Sequence, residues 1–215
     1  MDYYQEIIKA IEEGETRDVV MLVKDAIHQL YPSEKILDLG LIRGIERVAE
    51  KFREAELLIP EVIMSTRALQ AGLKTIKPYL TAQTKNNRIK VVIGTVSGDL
   101  HDIGKNIIKV VVSMQGFEIV DIGIDVSTER FVEAVKKEKP QIIMMSALLT
   151  TTIGHMEEII EMLEKKNLRK DRLIFVGGAP VNKSFALEIG ADYYTSNIEE
   201  LKGILQKISK SFNKK

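Results

Sequence analysis

The residues best suited to chemistry form one short run, Gly98-Asp99-Leu100-His101-Asp102-Ile103-Gly104. The run follows an apolar segment at 89–96 and precedes another at 107–114, which predicts a turn from a strand into a helix. A carboxylate two residues before an imidazole can hold one ring nitrogen while the other faces a metal. The run, termed the His101 loop below, therefore predicts a metal ligand at His101. A histidine that only stabilises the turn through Asp99 explains the motif alone equally well.

A phosphate-binding loop is a second interpretation of the same glycines. The segment from Gly98 to Lys105 has five residues between its glycines, where a Walker A loop has four. Asn106 also stands where that motif places a Mg²⁺-binding Ser or Thr. A P-loop is therefore excluded, although the amino end of the following helix still favours an anionic group.

Two further segments end predicted strands in small or hydroxylated residues. A narrow slot with hydroxyls is expected after the third strand, at Ser146-Ala147-Leu148-Leu149-Thr150-Thr151-Thr152. A flat group could lie against the backbone after the fourth strand, at Gly177-Gly178-Ala179-Pro180. Each has a simpler interpretation, since the threonines can cap the next helix and the glycines can form a plain turn. Together with the His101 loop, however, they follow neighbouring strands of the predicted sheet and converge on one crevice. This convergence predicts a site for a long ligand with a metal at one end.

The second part of the chain must supply the strands that position these segments. Short β-branched runs alternate with amphipathic stretches there, and the runs lie at 89–96, 118–121, 141–145, 172–176 and 192–195. Five strands that alternate with helices predict an α/β domain with a parallel, doubly wound sheet of order 2-1-3-4-5.

The first part of the chain is predicted to be a four-helix bundle. Two helices are expected at about 2–13 and 16–30, a third after the N-cap Ser33, and a fourth from Pro60 to Ile76. The third helix has one apolar stripe at three- and four-residue spacing, made of Ile36, Leu39, Ile42, Ile45, Val48, Ala49 and Phe52. The polar segment 81–87 is interpreted as a linker and hinge, which divides the chain into domains at 1–86 and 87–215.

Composition excludes several function classes. Lys plus Arg and Asp plus Glu each total 31, so no net charge attracts nucleic acid or an anionic membrane. No apolar run approaches the roughly 20 residues that span a bilayer, and the N-terminus lacks the pattern of a secretory signal. Without cysteine there are no disulfides, thiolate metal sites or iron–sulfur clusters. A cytoplasmic protein is expected, in which a metal bound through one of the three histidines has few protein ligands.

The set Asp99-x-His101-x-x-Gly104, Ser146-x-Leu148 and Gly177-Gly178 resembles the signature of B12-binding domains that hold cobalamin in the base-off, His-on form. The resemblance implies that His101 is the lower ligand of cobalt and Asp99 its relay carboxylate. Thr152 matches a serine that completes the relay in methionine synthase. Ser146, Leu148, Gly177 and Gly178 would then line the pocket of the nucleotide tail. The implied cofactor-binding set also includes Gly98, Leu100, Asp102, Ile103, Gly104, Thr150 and Ala179.

The segment 50–62 resembles the helical cap over the upper face of methylcobalamin, with an aliphatic contact from Leu58 and Val62. The full pattern is most similar to the small corrinoid proteins of methanogen and acetogen methyltransferase systems, the methylamine type in particular. It implies a methyl carrier of one-carbon metabolism that is not catalytic alone and passes through methylcobalamin, Co(I) and Co(II) states. The implied partners are a substrate-specific methyltransferase, a second methyltransferase that acts on a thiol (coenzyme M) or on tetrahydrofolate or another tetrahydropterin, and a reductive activase.

Three other classes share parts of this pattern. A B12-dependent sensor usually adds a basic DNA-binding domain, which the neutral composition does not indicate. The small subunit of an adenosylcobalamin mutase has the Asp-x-His-x-x-Gly motif but no evident use for the first 80 or so residues. A receiver or flavodoxin-like domain without corrin could use Asp99 as a phospho-acceptor, but it explains neither His101 nor the hydroxyl slot. His28 and His155 are interpreted as ordinary surface or partly buried residues.

Overall fold

The computed structural model describes residues 2–80, 89–195 and 197–212, and the chain divides into two compact units, Met1–Thr81 and Ala82–Lys215. The expected linker and hinge at 81–87 lies outside the described residues, so it stays a prediction, as do the domain limits at 1–86 and 87–215. Within the described part of the chain, no helix is both long enough and apolar enough to cross a membrane.

The N-terminal unit contains the predicted helical bundle. Its elements are α1 (Tyr3–Glu12), α2 (Thr16–His28), α3 (Ser33–Lys35), a π-helical segment (Ile36–Ile42), α4 (Arg43–Arg53), α5 (Ile59–Ile76) and a closing 3₁₀ turn (Lys77–Tyr79). Because α3, the π segment and α4 follow one another without a break, they form the third helical rod of the bundle. The bundle buries a continuous set of aliphatic side chains, among them Ile7, Ile11, Val19, Val23, Leu37, Leu41, Leu69 and Ile76.

Both expected helix starts in this unit need correction. Ser33 is the first helical residue rather than the N-cap, and the cap position belongs to Pro32, with no side-chain hydrogen bond. The last helix begins at Ile59, one residue before the expected start. There the carboxylate of Glu61 accepts a hydrogen bond from the Leu58 N–H at 2.7 Å, which satisfies a donor that the helix itself cannot.

The apolar stripe expected on the third rod is only partly buried. Ile36, Ile42 and Val48 are buried, whereas Leu39, Ala49 and Phe52 are exposed. A π-helix bonds residue i to i+5 and has more residues per turn than an α-helix. The segment Ile36–Ile42 therefore shifts the helical phase, and a single three- and four-residue spacing cannot stay on the buried side along the whole rod.

The C-terminal unit has the expected parallel sheet. Its strands are β1 (Lys90–Thr95), β2 (Glu118–Asp121), β3 (Ile142–Ser146), β4 (Leu173–Gly177) and β5 (Tyr193–Tyr194), in the order β2-β1-β3-β4-β5. The five helices are α6 (Ile103–Met114), α7 (Thr128–Glu138), α8 (Gly154–Lys165), α9 (Lys183–Glu188) and α10 (Ile198–Phe212). The predicted strand order is confirmed, and the observed strands begin and end within two residues of the expected limits.

Alternation along the strands assigns each side chain to one of two faces. Ile143 and Met145 of β3 belong to a buried core with α7 and α8, which includes Phe131 and Ile159. The intervening Met144 faces the opposite side, beneath α6 and α10. Helices therefore cover both faces, as a parallel sheet requires.

The ends of β3 and β4 approach each other unusually closely at Gly178. This residue has φ +130°, and a Cβ on it would lie 1.7 Å from the carbonyl oxygen of Ala147. The Ala147 N–H in turn donates to the Gly177 carbonyl at 3.1 Å. Both the backbone conformation and the contact require glycine at position 178.

We expect Gly178→Ala to lower the free energy of unfolding by more than about 3 kcal/mol, because a left-handed alanine and a forced backbone shift add together. Gly190→Ala is the matched control in the same unit, since Gly190 has φ +75° and a Cβ there would meet no atom within 4 Å. The control should cost about 1 kcal/mol. Urea unfolding followed by circular dichroism measures both, and equal losses would contradict the contact with Ala147.

Candidate functional site

The His101 loop joins β1 to α6 and orients the His101 ring through Asp99. Asp99 Oδ1 lies 2.7 Å from His101 Nδ1 and also accepts a hydrogen bond from the His101 N–H at 3.0 Å. An ionised carboxylate only accepts, so Nδ1 donates and Nε2 is the ring nitrogen left for a ligand. Asp99 is fully buried, whereas the His101 side chain is 47% exposed. The imidazole is therefore held from the protein side and accessible on the other.

The second carboxylate oxygen of Asp99 ties the loop to the segment after β3. Oδ2 accepts hydrogen bonds from the N–H groups of Leu148 at 2.6 Å and Leu149 at 3.3 Å. Burial alone raises the pKa of Asp99, but the hydrogen bonds from Leu148, His101 and Leu149 outweigh it and lower the pKa to about 2. Asp99 therefore remains a carboxylate at neutral pH although no part of it touches solvent.

Thr152 completes the set of donors around Asp99. Its Oγ1 lies 3.2 Å from Asp99 Oδ2 and 2.9 Å from the Leu149 carbonyl oxygen. A hydroxyl has one proton, so Thr152 can donate to only one of these oxygens at a time. The alternative interpretation of the threonines as a helix cap is not realised, because Ile153 occupies the cap of α8 with no side-chain hydrogen bond.

Sequence reasoning missed the support that Thr95 gives to the loop. This fully buried side chain at the end of β1 donates from Oγ1 to the His101 carbonyl at 3.1 Å. Its only sequence signal is a hydroxyl within an otherwise aliphatic strand. Gly98 has φ +74°, a conformation that glycine adopts without steric cost.

A groove of about 250 Å³ lies on one face of the sheet near the carboxyl ends of β1, β3 and β4. Ser146, Gly177, Gly178 and Gly104, all predicted for the site, line it. Its lining also contains residues that sequence reasoning missed, namely Ile93, Lys105, Ile107, Ile108, Met144, Met145, Phe175, Val176, Thr195, Asn197, Ile198 and Leu201. For Ile93, Met144 and Phe175 the signal is the alternation of the strands, which could be interpreted only once the covered face of the sheet was known.

The groove floor consists of two rows of side chains across the sheet. The row nearer the strand ends is small, with Ser146 paired to Gly177. Two residues earlier the row is large, with Met144 paired to Phe175, whose ring stacks on Tyr193 at a centroid distance of 4.6 Å. The groove is therefore open at the edge of the sheet where the strands end. At its inner end it is bounded by the sulfur of Met144 and the ring of Phe175.

Two glycines of the groove are not required by the protein itself. Neither Gly104 nor Gly177 has a positive φ, and a Cβ on either would meet no atom within 4 Å. Their missing side chains leave the groove wider than packing requires. The groove therefore has room for a ligand at both glycines.

Lys105 lines the groove, and its ammonium group is bound to a carboxylate. Its Nζ is 2.7 Å and 2.8 Å from the two oxygens of Asp121, which also accepts from Lys109 at 2.6 Å. Burial raises the pKa of Asp121, yet the hydrogen bonds from the two lysines lower it overall. Lys105 therefore belongs to a cluster of two lysines and one aspartate, in which its Nζ is directed to Asp121.

The other predicted site residues take varied positions. The side chains of Leu100 and Leu148 are 68% and 44% exposed, and Leu148 contacts Asp99 through its backbone N–H. Asp102 occupies the cap of α6 and accepts from Asn106 at 2.9 Å. The remaining predicted residues are Ile103, the first residue of α6, the exposed Thr150 and Ala179, and, on the N-terminal unit, the exposed Leu58 and the half-buried Val62. Among the described residues, no cluster of three or more His, Asp or Glu side chains is arranged to hold a metal.

Comparison with known proteins gives consistent results for both units. Residues 89–201 match the model of a B12 binding domain, and residues 3–77 match the model of a second B12 binding domain. Dimethylamine corrinoid protein 1 of Methanosarcina mazei is 38% identical over 197 residues, which cover 91% of each chain.

Two solved structures extend the comparison. The monomethylamine corrinoid protein of Methanosarcina barkeri superposes with a TM-score of 0.84 at 30% identity, over 96% of this chain and 98% of the other. The methanol:cobalamin methyltransferase complex MtaBC of Methanosarcina barkeri contains a chain with a TM-score of 0.54 at 31% identity, over 97% of this chain and 80% of the other. The protein therefore belongs to the family of corrinoid proteins with B12 binding domains, and its cofactor is a corrinoid.

Proposed function

We propose that this protein is the methyl carrier of a methylamine-type methyltransferase system, with His101 as the lower ligand of a base-off corrinoid. When bound, the corrinoid supplies a cobalt centre that accepts a methyl group from one partner and gives it to another. The observation that carries the proposal is the half-exposed His101 ring held at 2.7 Å by the buried carboxylate of Asp99. The similarity to a dimethylamine corrinoid protein supports the substrate class.

The groove supports the base-off arrangement. A displaced nucleotide tail needs a slot beside the ligand histidine, and the row of Ser146 and Gly177 is open at the sheet edge. Gly104 on α6 opens the opposite wall. We infer that these residues would hold the tail and that Met144 and Phe175 would contact its base.

The site also supports control of a proton at His101 Nε2. When Nε2 is not bound to cobalt it can take a proton, and the positive ring would then face an ionised Asp99 at 2.7 Å. Because the pKa of Asp99 is lowered to about 2, the carboxylate stays ionised and can stabilise a positive charge on the ring. Thr152 can move its hydroxyl proton between Asp99 and the Leu149 carbonyl as the charge of the ring changes.

The N-terminal unit is proposed as the cap, with Leu58 and Val62 as an aliphatic lid for the upper face and the 81–87 segment as its hinge. Its match to a B12 binding domain supports this role over that of a mutase small subunit, in which the unit has no evident use.

The proposed partners are a substrate-specific methyltransferase, a second methyltransferase with coenzyme M or a tetrahydropterin as acceptor, and a reductive activase. The similarity to a chain of a methanol:cobalamin methyltransferase complex supports a partner of the first kind.

Reconstitution with hydroxocobalamin tests the ligand directly. We expect wild type to bind corrinoid with the visible spectrum of nitrogen coordination, and His101→Ala to lose the axial-ligand band, because no other described imidazole replaces it. His155→Ala is the matched control, since His155 is 35% exposed and is also held by a carboxylate, with Nδ1 2.9 Å from Glu158 Oε2. A His101→Ala spectrum identical to wild type would refute the assignment.

Proton uptake tests the role of Asp99. On reduction to Co(I), we expect wild type to take up more protons per cobalt than Asp99→Asn, because the amide cannot stabilise a charged ring. An indicator dye measures the stoichiometry. Asp171→Asn removes the same charge from an exposed turn before β4 and should behave as wild type. Equal uptake in all three proteins would exclude the relay.

The open glycines provide a test of the tail slot. Gly177→Ala and Gly104→Ala should each weaken cobalamin binding about 10-fold or more without loss of stability, because the added methyl occupies ligand space that the protein leaves empty. Gly203→Ala on α10 also adds a methyl that meets no atom within 4 Å, and it should bind as wild type. Equilibrium titration of the corrinoid spectrum compares the three. Unchanged affinity in both groove variants would place the tail elsewhere.

A further inference from the structure

The segment after β2 is bound closely to the end of β1. The Ile122 N–H donates to the Ile93 carbonyl at 2.9 Å, and the Thr95 N–H donates to the Gly123 carbonyl at 3.0 Å. The Val126 N–H then returns a hydrogen bond to the Thr95 carbonyl at 3.0 Å. This segment, 122–126, therefore extends the sheet beyond β2 as a fixed base next to the His101 loop.

Asp125 projects from this base and makes two contacts with the His101 loop. Its Oδ1 accepts a hydrogen bond from the Gly98 N–H at 2.7 Å. Its own backbone N–H donates to the Asp99 carbonyl at 3.1 Å. The residue has φ +50°, a conformation that aspartate, asparagine and glycine tolerate better than other residues do. The two contacts join Asp125 to the residues on both sides of the Gly98–Asp99 peptide link.

We propose that Asp125 is a positioning residue that sets the place of the His101 imidazole by bracing the loop from the β2 side. The inference rests on the proposed function for its consequence at the cofactor, but its structural part concerns the protein alone. Gly98, at φ +74°, is a position where the backbone can rotate easily, and Asp125 holds its N–H. Any rotation there would move Asp99 and with it the hydrogen bond to His101 Nδ1.

The three supports of the loop act on different atoms. Thr95 holds the His101 carbonyl, the segment after β3 holds the Asp99 carboxylate, and Asp125 holds the backbone between Gly98 and Asp99. Because Asp125 is exposed, its hydrogen bond contributes only about 1 kcal/mol or less to global stability. Its effect is therefore expected in the local order of the loop rather than in the unfolding of the unit.

Two substitutions at position 125 distinguish the role of the Oδ1 acceptor from the roles of the negative charge and of the backbone conformation. Asp125→Asn retains an Oδ1 acceptor and tolerance of positive φ, whereas Asp125→Gly retains only the backbone conformation. Asp171→Gly is the matched control, since Asp171 is an exposed aspartate with φ +63° in the turn before β4, at the other edge of the sheet. Each protein is studied as the full chain, first without corrinoid and then after loading with hydroxocobalamin.

In the corrinoid-free protein, NMR amide exchange at Gly98 is the readout. We expect exchange to be about 5- to 10-fold faster in Asp125→Gly, as loss of one hydrogen bond implies, and close to wild type in Asp125→Asn and Asp171→Gly. In the loaded protein, the ratio of histidine-coordinated to uncoordinated corrinoid should fall by a similar factor in Asp125→Gly alone.

Several outcomes would overturn the proposal. Unchanged Gly98 exchange and an unchanged axial band in Asp125→Gly would show that Asp125 neither orders the loop nor positions His101. A defect in Asp125→Asn equal to that in Asp125→Gly would show that the Oδ1 acceptor is not responsible. Faster exchange with an unchanged axial band would mean that Asp125 orders the turn without positioning His101. If wild type itself showed no histidine coordination, the proposed function would fail, while the exchange data would still decide whether Asp125 holds the loop.

Discussion

The buried carboxylate of Asp99 is the constraint on which the site depends. It lies out of solvent yet stays ionised, because N–H and O–H donors from the His101 loop and from the segment after β3 surround it. A buried charge of this kind is stable only while its donors keep their places, so it fixes two separate turns relative to one another. The orientation of the His101 ring follows from that requirement. The parallel sheet contributes by bringing the ends of β1 and β3 side by side.

Glycine has two opposite uses in the groove. At Gly178 it allows two strand ends to meet so closely that any side chain would collide with the Ala147 carbonyl. At Gly177, one residue earlier, it leaves a volume that the protein does not fill. The first use is required by the fold, whereas the second is not required by any contact within the described part of the protein. The large row of Met144 and Phe175 then limits how far that volume extends.

The sequence predicted the features that depend on local pattern. Alternating apolar runs predicted all five strands and their order, and the spacing of Asp99 and His101 predicted their hydrogen bond. Features set by contacts between distant segments were not predicted. The π segment shifts the buried face of a helix without any change in apolar spacing, and the Thr95 hydroxyl acquires its role only when β1 ends beneath the His101 carbonyl. The groove lining required knowledge of which sheet face α6 and α10 cover.

The donors described around Asp99, which orient the imidazole through that carboxylate, all belong to one of the two units. His101, Leu148, Leu149 and Thr152 belong with Asp99 to the C-terminal unit. The orientation of His101 is therefore set within that unit. Residues 3–77, which match the second B12 binding domain model, contribute none of the hydrogen bonds described around Asp99.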